Sequence, residues 1–318
     1  MKNLGYEKPF SLAKNHTIME ELTMQDDIRI ILDTDFGPDC DDAGSLALLH
    51  ILSRKKPVQT LAITNCTSNP YANGAIDVLN KAFGVEDIPI GMYDKPGFLW
   101  EPGYEKYNKY LCQNYENRFK DSPEAVPGAY ELLIDTLKAA ADKSITFVAI
   151  GPLNNCADLI RTPEGRQLVA EKVDVMITMS CGFKNVEWNV EMDIPSAREV
   201  FADWPTPILA TPAETGNEII TGRNFYSLGS DHPLVKSYEL YIGENYREGR
   251  PSWDLTAVWA AIMGPEPFFT ITEPYNVSLS EKGETICEAD PNGKVRFLLN
   301  KMPPKEIGAE IDKLWGEI

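Results

Sequence analysis

An acid-rich segment lies between two apolar runs near the start of the chain. Residues 28–50 read IRIILDTDFGPDCDDAGSLALLH, so an apolar run leads into a turn and then into a helix-like run. Ile28–Leu32 predict a buried strand, Gly37 and Pro38 end it, and the run that starts at Asp41 predicts a helix. The segment holds five carboxylates, those of Asp33, Asp35, Asp39, Asp41 and Asp42.

Five carboxylates this close together repel one another unless a positive charge lies among them. The dipole and the free N–H groups of a helix N-terminus account for one or two of them, such as Asp39 and Asp41. Asp33 and Asp35 are two residues apart, so in a continuing strand their side chains share one face. The segment therefore predicts a cation site, and a purely structural acidic cap is the alternative.

Short apolar runs alternate with helix-like segments through most of the chain. This alternation is typical of a parallel sheet with right-handed crossovers, so we predict an α/β fold with a mostly parallel open sheet flanked by helices. The predicted strands are Ile28–Leu32, Val58–Ile63, Ile145–Ile150, Val173–Met179 and Pro207–Ala210, and the predicted helices are Pro70–Phe83, Ala129–Ala141 and Pro195–Ala202.

The C-terminal part of the chain has a different pattern. Tyr275–Leu279, Glu284–Glu288 and Lys294–Leu298 are separated by turn sequences, which predicts a small antiparallel meander. A last helix with Ile307, Ile311, Leu314 and Trp315 on one face should dock on the body. We expect a polar extension over residues 1–27, a single domain over residues 28–318, and a mobile insertion near residues 223–251.

Composition excludes several classes of partner. Lys and Arg number 30 against 48 Asp and Glu, giving a net charge of −18, which is unsuited to nucleic acid or an anionic membrane surface. The 6 cysteines are scattered without metal-finger spacing, which indicates reduced thiols and a cytoplasmic location. Only 3 histidines are present, which argues against a His-rich zinc site.

The identity of the cation follows from the ligand type. The acidic turn is placed where a parallel strand ends, which is the usual ligand edge of an open α/β sheet, and carboxylates there suit Ca²⁺ or Mg²⁺. An EF-hand is excluded, because its sixth and twelfth positions need Gly and Glu while Pro38 and Gly44 stand there. A Mg²⁺ phosphohydrolase with Asp33 as nucleophile stays open as an alternative.

The turn DTDFGPDCDD resembles the signature of the nucleoside hydrolases, the inosine-uridine-preferring N-ribohydrolase family, in a longer D-x-D-x-G-x-D-x-D-D form. Four further segments resemble family blocks in the same order, so the likeness spans residues 28–263. They are TNCTSN at residues 64–69, AIGPLNN at 149–155, VEWNVEMDIPSA at 186–197 and SWDLTAV at 252–258.

This resemblance implies Ca²⁺-dependent hydrolysis of a nucleoside to ribose and free base, by a metal-bound water with Asp35 as general base, in a homodimer or homotetramer. The implied calcium ligands are Asp35, Asp42, the Ile150 carbonyl and Asp254, and the implied sugar contacts are Asp41, Asn65, Glu187 and Asn189. Asp33 would support the loop, and Asp39 has no assigned role. Local alternatives are a turn residue for Asn65, a solvated acid for Glu187, a loop cap for Asn189 and a helix cap for Asp254.

One position departs from the family pattern. Many members carry His directly before the last calcium-binding Asp, where it can protonate the departing base, but here the residue is Trp253. An indole N–H donates a hydrogen bond without useful acidity, so Trp253 can bind substrate but cannot act as general acid. A non-catalytic nucleoside- or sugar-binding protein is therefore a further alternative. Tyr238, Tyr241 and Tyr246 are candidates for lining the base side of the site.

Overall fold

The structure is a computed structural model that describes residues 27–100, 103–122 and 125–317. Its strands are β1 (Ile28–Thr34), β2 (Val58–Asn65), β3 (Ile90–Met92), β4 (Ile145–Ala149), β5 (Val173–Met179), β6 (Ile208–Thr211), β7 (Ile220–Thr221), β8 (Arg250–Pro251), β9 (Phe269–Ile271), β10 (Tyr275–Leu279), β11 (Thr285–Ala289) and β12 (Val295–Asn300). The predicted N-terminal extension lies outside the described residues, except for Asp27.

The α-helices complete the element list. They are α1 (Asp41–Ser53), α2 (Pro70–Ala82), α3 (Asn108–Asn114), α4 (Ala129–Ala139), α5 (Asn154–Arg161), α6 (Pro163–Lys172), α7 (Trp188–Met192), α8 (Ile194–Asp203), α9 (Ala213–Gly216), α10 (Pro233–Ile242), α11 (Trp253–Met263) and α12 (Pro304–Leu314). Short 3-10 helices span Phe225–Leu228, Tyr246–Glu248 and Trp315–Glu317.

A ten-stranded sheet forms the centre, in the order β11-β10-β12-β6-β5-β4-β1-β2-β3, with β9 added against β12. The pairs from β3 to β6 are parallel, while β10 pairs antiparallel with β11 and with β12. The predicted α/β class and the C-terminal meander are therefore confirmed. The sequence did not predict β3, which extends one edge, or the parallel pairing of β12 with β6, which joins the meander to the main sheet. The short strands β7, β8 and β9 were not predicted either.

Burial explains why the central strands are almost wholly apolar. The interior strands have helices on both faces, so side chains pointing either way are removed from water. One face packs against α1, α2 and α11, and the other packs against α4, α5 and α8. Hence Ile30 and Ile31, which point to opposite faces of β1, lie in two different core clusters.

Local capping fixes where the helices begin. Asn69 accepts a hydrogen bond from the backbone N–H of Tyr71, and Pro70 supplies the first helical residue of α2. Asp193 caps α8 in the same way by accepting from Ser196. The predicted helices differ from these by one or two residues at their ends, as fraying ends normally do.

The segment around α10 is packed on the body rather than free of it. Leu234, Val235 and Tyr238 are fully buried in the larger core cluster, which overturns the expectation of a mobile insertion there. The C-terminal helix docks as predicted through Ile307, Ile311 and the adjoining Trp315. Within the described ranges, we find no helix with both the length and the apolar character needed to span a membrane.

Candidate active site

A cavity of about 570 Å³ lies where β1, β4, β5 and β6 end, at the carboxyl edge of the parallel sheet. These strands are neighbours, so the loops that follow them converge on one place. Its lining includes Asp35, Asp39, Asp41, Asp42, Lys106, Ile150, Met179, Glu187, Asn189, Glu214, Asn217, Tyr241, Arg250, Trp253 and Asp254. The volume is in the range that small-molecule sites occupy.

The lining includes five aspartates, which we call the acidic wall: Asp35, Asp39, Asp41, Asp42 and Asp254. The carboxylates of Asp41, Asp42 and Asp254 come together within it. Their oxygens lie within 4.8 Å of one another, and all three side chains are buried. Asp41 and Asp42 open α1, whereas Asp254 lies in the first turn of α11, which packs against α1. The hydroxyl of Thr34 at the end of β1 hydrogen-bonds Asp42 and fixes its orientation.

Asp35 lines the same cavity, whereas Asp33 does not. Asp33 is fully buried, and its Oδ1 accepts hydrogen bonds from Thr64 and from Asn155, the latter at 2.8 Å. It therefore ties β1 to its neighbours, as expected of a residue that supports the loop. This burial argues against the phosphohydrolase alternative, since Asp33 has no access to a substrate phosphorus.

Gly151 allows the close approach that seats Asp35. A β-carbon at Gly151 would lie 2.9 Å from the backbone nitrogen of Asp35, closer than real contacts permit. The turn after β4 therefore needs glycine at this position, and the adjacent Ile150 N–H donates to the Asp33 carbonyl at 2.8 Å. The close approach of these two neighbouring strand ends thus depends on the absence of a side chain at Gly151.

The buried carboxylates of the acidic wall repel one another when they are ionised. Burial, and then the charges of neighbouring carboxylates, raise the pKa values of Asp41, Asp42 and Asp254 well above their ordinary range. Burial also raises the pKa of Asp35 to about 8, with the charges of Asp41 and Asp39 adding to the effect. Such a cluster favours either protonation or a bound cation.

These residues fit a hard divalent cation. Three buried carboxylates converge within the spacing that a single ion can bridge, and oxygen ligands are those that Ca²⁺ and Mg²⁺ prefer. Asp41, which the resemblance assigned to the sugar, lies in this group. Asp35 and Ile150 line the same cavity, beside the three carboxylates.

Glu187 and Asn189 follow β5 at the same carboxyl edge of the sheet, and both line the cavity. Glu187 caps α7 by accepting hydrogen bonds from the backbone N–H groups of Asn189 and Val190. Burial raises its pKa to about 8. The Asn189 amide donates to the Met179 carbonyl at 3.1 Å and to the Ile150 carbonyl at 3.3 Å, so it bridges the ends of β4 and β5.

Asn65 is the one predicted substrate contact that is not among the lining residues. Its oxygen accepts from the Thr67 N–H and hydroxyl, and its amide donates to the Asn69 carbonyl and to Asn73. Because these bonds occupy the whole carboxamide, Asn65 holds the turn after β2, as its structural alternative proposed. We do not place it in the substrate site.

Trp253 lines the cavity, but its indole N–H is already committed. Nε1 donates to the side-chain oxygen of Asn217 at 2.7 Å, so the ring is fixed in orientation. Of the three tyrosines considered, Tyr241 lines the cavity, whereas Tyr238 is buried in the core and Tyr246 is not part of the lining.

Asp39, which had no assigned role, pairs with Arg250. The guanidinium donates from Nε to Oδ1 at 3.0 Å and from Nη2 to Oδ2. Sequence reasoning missed Arg250, which lies two residues before the SWDLTAV segment and outside it. The bond pairs residues 211 positions apart, which spacing rules cannot predict.

Glu214 is a second residue that sequence reasoning missed. It is 8% exposed, and its Oε1 accepts from the N–H groups of Phe183 and Lys184 at 2.9 Å each. Its Oε2 is buried and has no hydrogen-bond partner among the described residues. The available signal was topological, because Glu214 follows a predicted parallel strand at the ligand edge.

The chain is similar to known proteins in sequence and in fold. A family model described as inosine-uridine preferring nucleoside hydrolase matches residues 30–313. An uncharacterized protein of Schizosaccharomyces pombe is 28% identical over 209 residues, which is 61% of this chain. The match spans 64% of the length of that relative.

Solved structures share the fold at low sequence identity. An inosine-uridine preferring nucleoside hydrolase from Bacillus anthracis has a TM-score of 0.67 at 17% identity, covering 92% of this chain and 100% of that chain. A purine-preferring ribonucleoside hydrolase from Gardnerella vaginalis has a TM-score of 0.68 at 17% identity, covering 91% and 100%. An inosine-guanosine nucleoside hydrolase has a TM-score of 0.69 at 18% identity, covering 90% and 97%.

Proposed function

This chain belongs to the inosine-uridine preferring nucleoside hydrolase family, and from that membership we propose that it hydrolyses the N-glycosidic bond of ribonucleosides with the help of a bound Ca²⁺. The products are ribose and the free base. The observation that most supports this proposal is the buried group of Asp41, Asp42 and Asp254 beside Asp35, in a cavity large enough for a nucleoside.

The reaction passes through an oxocarbenium-like transition state, with positive charge on the ribose. Asp41, Asp42 and Asp254, with the Ile150 carbonyl nearby, would hold the cation. When bound there, such an ion would supply Lewis acidity that lowers the pKa of a neighbouring water molecule and would help to position the sugar. Carboxylates around the sugar also favour its developing positive charge.

Asp35 is the proposed general base. As the water oxygen bonds to the anomeric carbon, one water proton passes to the Asp35 carboxylate. The electron pair of the C–N bond leaves with the nucleobase. For this step Asp35 must be ionised, and a positive charge nearby lowers a carboxyl pKa in the required direction. Its position on the cavity wall, next to the three clustered acids, supports the role.

The other side of the cavity is proposed to hold the sugar. Glu187 and Asn189 are kept in place by bonds to backbone groups at the ends of β4 and β5. The unpartnered Oε2 of Glu214 supplies a further acceptor for a sugar hydroxyl. Trp253 offers an aromatic surface, but because its N–H is bound to Asn217 it adds no proton to the departing base.

Turnover of a nucleoside panel tests the proposal. The purified chain is incubated with inosine, guanosine, adenosine, uridine and cytidine, with Ca²⁺ or with a chelator, and ribose release is measured. We expect release with Ca²⁺ and its loss on chelation. An Asp35→Asn protein prepared in parallel excludes a contaminating nucleosidase. Binding without ribose release would favour the non-catalytic alternative, and phosphate release from phosphorylated compounds would favour the phosphohydrolase.

The expected homodimer or homotetramer and the cytoplasmic location rest on the resemblance and the composition, and both stay predictions. Sedimentation velocity of the purified chain measures the first. A sedimentation coefficient of a monomer at micromolar concentration would contradict the expected oligomer.

A further inference from the structure

Arg250 is the cation on the cavity wall whose orientation is most firmly fixed. It lies in β8, where it pairs with Thr221 of β7, and only Ser252 separates β8 from α11, which begins with Trp253 and Asp254. A 2.7 Å hydrogen bond between the Thr221 and Ser252 hydroxyls holds this short connection in place. The backbone of Arg250 is therefore anchored next to the acidic wall.

The guanidinium is fixed by three further contacts. Asp39 engages Nε and Nη2 together, a two-point contact that sets the plane of the group. The guanidinium carbon also lies 5.1 Å from the centroid of the Trp253 ring and 5.2 Å from that of Tyr241. Both distances are typical of cation–π contacts, which favour a guanidinium that stays charged and flat against the rings.

Part of the guanidinium is left for a ligand. Arginine has five N–H donors, and Asp39 engages two of its three nitrogens. Nη1 has no acceptor among the residues that the structure describes, although the side chain is only partly exposed and lines the cavity. A fixed, charged donor that faces a cavity and lacks an acceptor is suited to an electron-rich group of the substrate.

The proposed reaction creates such a group. When the C–N bond breaks, its electron pair moves onto the base, whose ring nitrogens and carbonyl oxygens become more negative. Protonation by a side chain would relieve this charge, but Trp253 has no acidity to offer and its N–H is bound to Asn217. The described lining contains no histidine. Its basic residues are Lys106, Lys184 and Arg250, and Arg250 is the one whose donors are oriented by a two-point contact with a carboxylate.

We propose that Arg250, oriented by Asp39, donates a charge-assisted hydrogen bond to the departing nucleobase and stabilises the negative charge that develops on it. Arg250 keeps its proton throughout, and the released base anion takes its proton from water. Asp39 is then a positioning residue that acts through Arg250. This inference rests on the proposed function, since it concerns the leaving group of that reaction.

Two ribosides with different leaving groups test the role. Inosine has a poor leaving group that needs stabilisation, whereas 4-nitrophenyl riboside releases a stable phenolate without help. We expect Arg250→Gln to lower kcat/KM for inosine by about a hundredfold and to leave that for 4-nitrophenyl riboside nearly unchanged. The quantity to compare is the ratio of kcat/KM for inosine to kcat/KM for 4-nitrophenyl riboside. Arg250→Lys keeps the charge without the two-point contact, so its ratio should lie between those of the wild type and Arg250→Gln. Asp39→Asn should lower the ratio by less than Arg250→Gln does.

Arg247→Gln is the matched control, because Arg247 also stacks on tyrosine rings, those of Tyr226 and Tyr246, but does not line the cavity. Its ratio should equal that of the wild type. Thermal unfolding checks that each variant folds, and if Arg250→Gln does not, the Lys variant and Asp39→Asn supply the ratio.

An equal fall for both ribosides, or no fall, would overturn the role of Arg250 while leaving the hydrolase proposal intact. Failure of the wild type to cleave either riboside would overturn the hydrolase proposal itself, and the inference with it.

Discussion

The backbone N–H of Asp254 donates a hydrogen bond of 3.1 Å to the carboxylate of Asp41, which stands 213 residues earlier in the chain. Asp41 opens α1 and Asp254 lies in the first turn of α11, so this bond joins two helix N-termini at the cavity. Both helix ends favour negative charge through their free N–H groups. The arrangement concentrates carboxylates at one point while supplying donors that hold them in place.

Replacing Asp35 by Asn should abolish turnover without unfolding the chain. The amide cannot accept the water proton, and loss of a general base lowers kcat by about 10²- to 10⁴-fold. Asp33→Asn is the matched control, since Asp33 lies two residues away but does not line the cavity. Asp33→Asn should lower the melting temperature, because it weakens buried hydrogen bonds, while the folded variant should keep most of its kcat. Ribose release by Asp35→Asn at the wild-type rate would remove Asp35 as the base.

Replacing Asp254 by Asn should weaken cation binding, because one of three clustered carboxylates is lost. We expect the Kd for Ca²⁺, measured by calorimetry on chelator-treated protein, to rise at least about tenfold. Glu281→Gln is the control, because Glu281 is exposed and does not line the cavity, and it should leave the Kd unchanged. A wild-type Kd in the Asp254 variant would show that the ion is bound elsewhere.

Without a cation, the protein should lose stability as pH rises. The pKa of Asp35 and that of Glu187 are both raised to about 8, mainly by burial, so the folded chain binds more protons than the unfolded chain up to that pH. Stability from these groups is thus complete at low pH and is lost through about pH 8. Melting curves with chelator should show this fall.

Addition of Ca²⁺ should reduce that loss, because the ion favours the ionised carboxylates of the cluster. A ligand at a hundred times its Kd stabilises the folded state by about 2.7 kcal/mol. The gain in melting temperature on adding Ca²⁺ should therefore grow with pH. A gain that is the same at acidic and at neutral pH would contradict the linkage.

Glu214→Gln should weaken substrate binding more than it weakens the fold. The amide can keep the bonds from Phe183 and Lys184, but it places a donor where Oε2 offers an acceptor. Loss of a hydrogen bond to a charged group lowers kcat/KM by about ten- to a hundredfold. The nearby Glu218, which is exposed and outside the lining, gives the control Glu218→Gln. Equal kinetics for the two variants would exclude a substrate contact by Glu214.

Gly216→Ala should displace the start of α11, which carries Trp253 and Asp254. A β-carbon there would lie 2.5 Å from the Cα of Trp253, so the start of α11 must move. Overpacking of this kind destabilises by about 1–3 kcal/mol, and the shift of Asp254 should also weaken Ca²⁺ binding. Gly316→Ala, which meets nothing within 4 Å, is the control. Unfolding curves and calorimetry measure the two effects, and unchanged values in both would contradict the contact.

The features that depend on short-range periodicity could be predicted from the order of residues alone. The apolar run of β1 predicted a buried parallel strand, and the helix start at Asp41 followed from the break at Gly37 and Pro38. The density of acids in that turn predicted the carboxylate cluster. These inferences succeeded because residues so close in the chain have relative positions that strand and helix geometry fix almost completely.

Which of those side chains contact one another became known from the folded chain alone. It paired Asp39 with Arg250, committed Asn65 to its own turn, bound Trp253 to Asn217 and left an oxygen of Glu214 without a partner. None of these follows from spacing, because each depends on how separate elements pack and on which donors and acceptors remain unpaired afterwards. Hydrogen-bond pairing in the buried site is a property of the assembled sheet and helices, since a side chain's partners exist only once the elements that carry them have met.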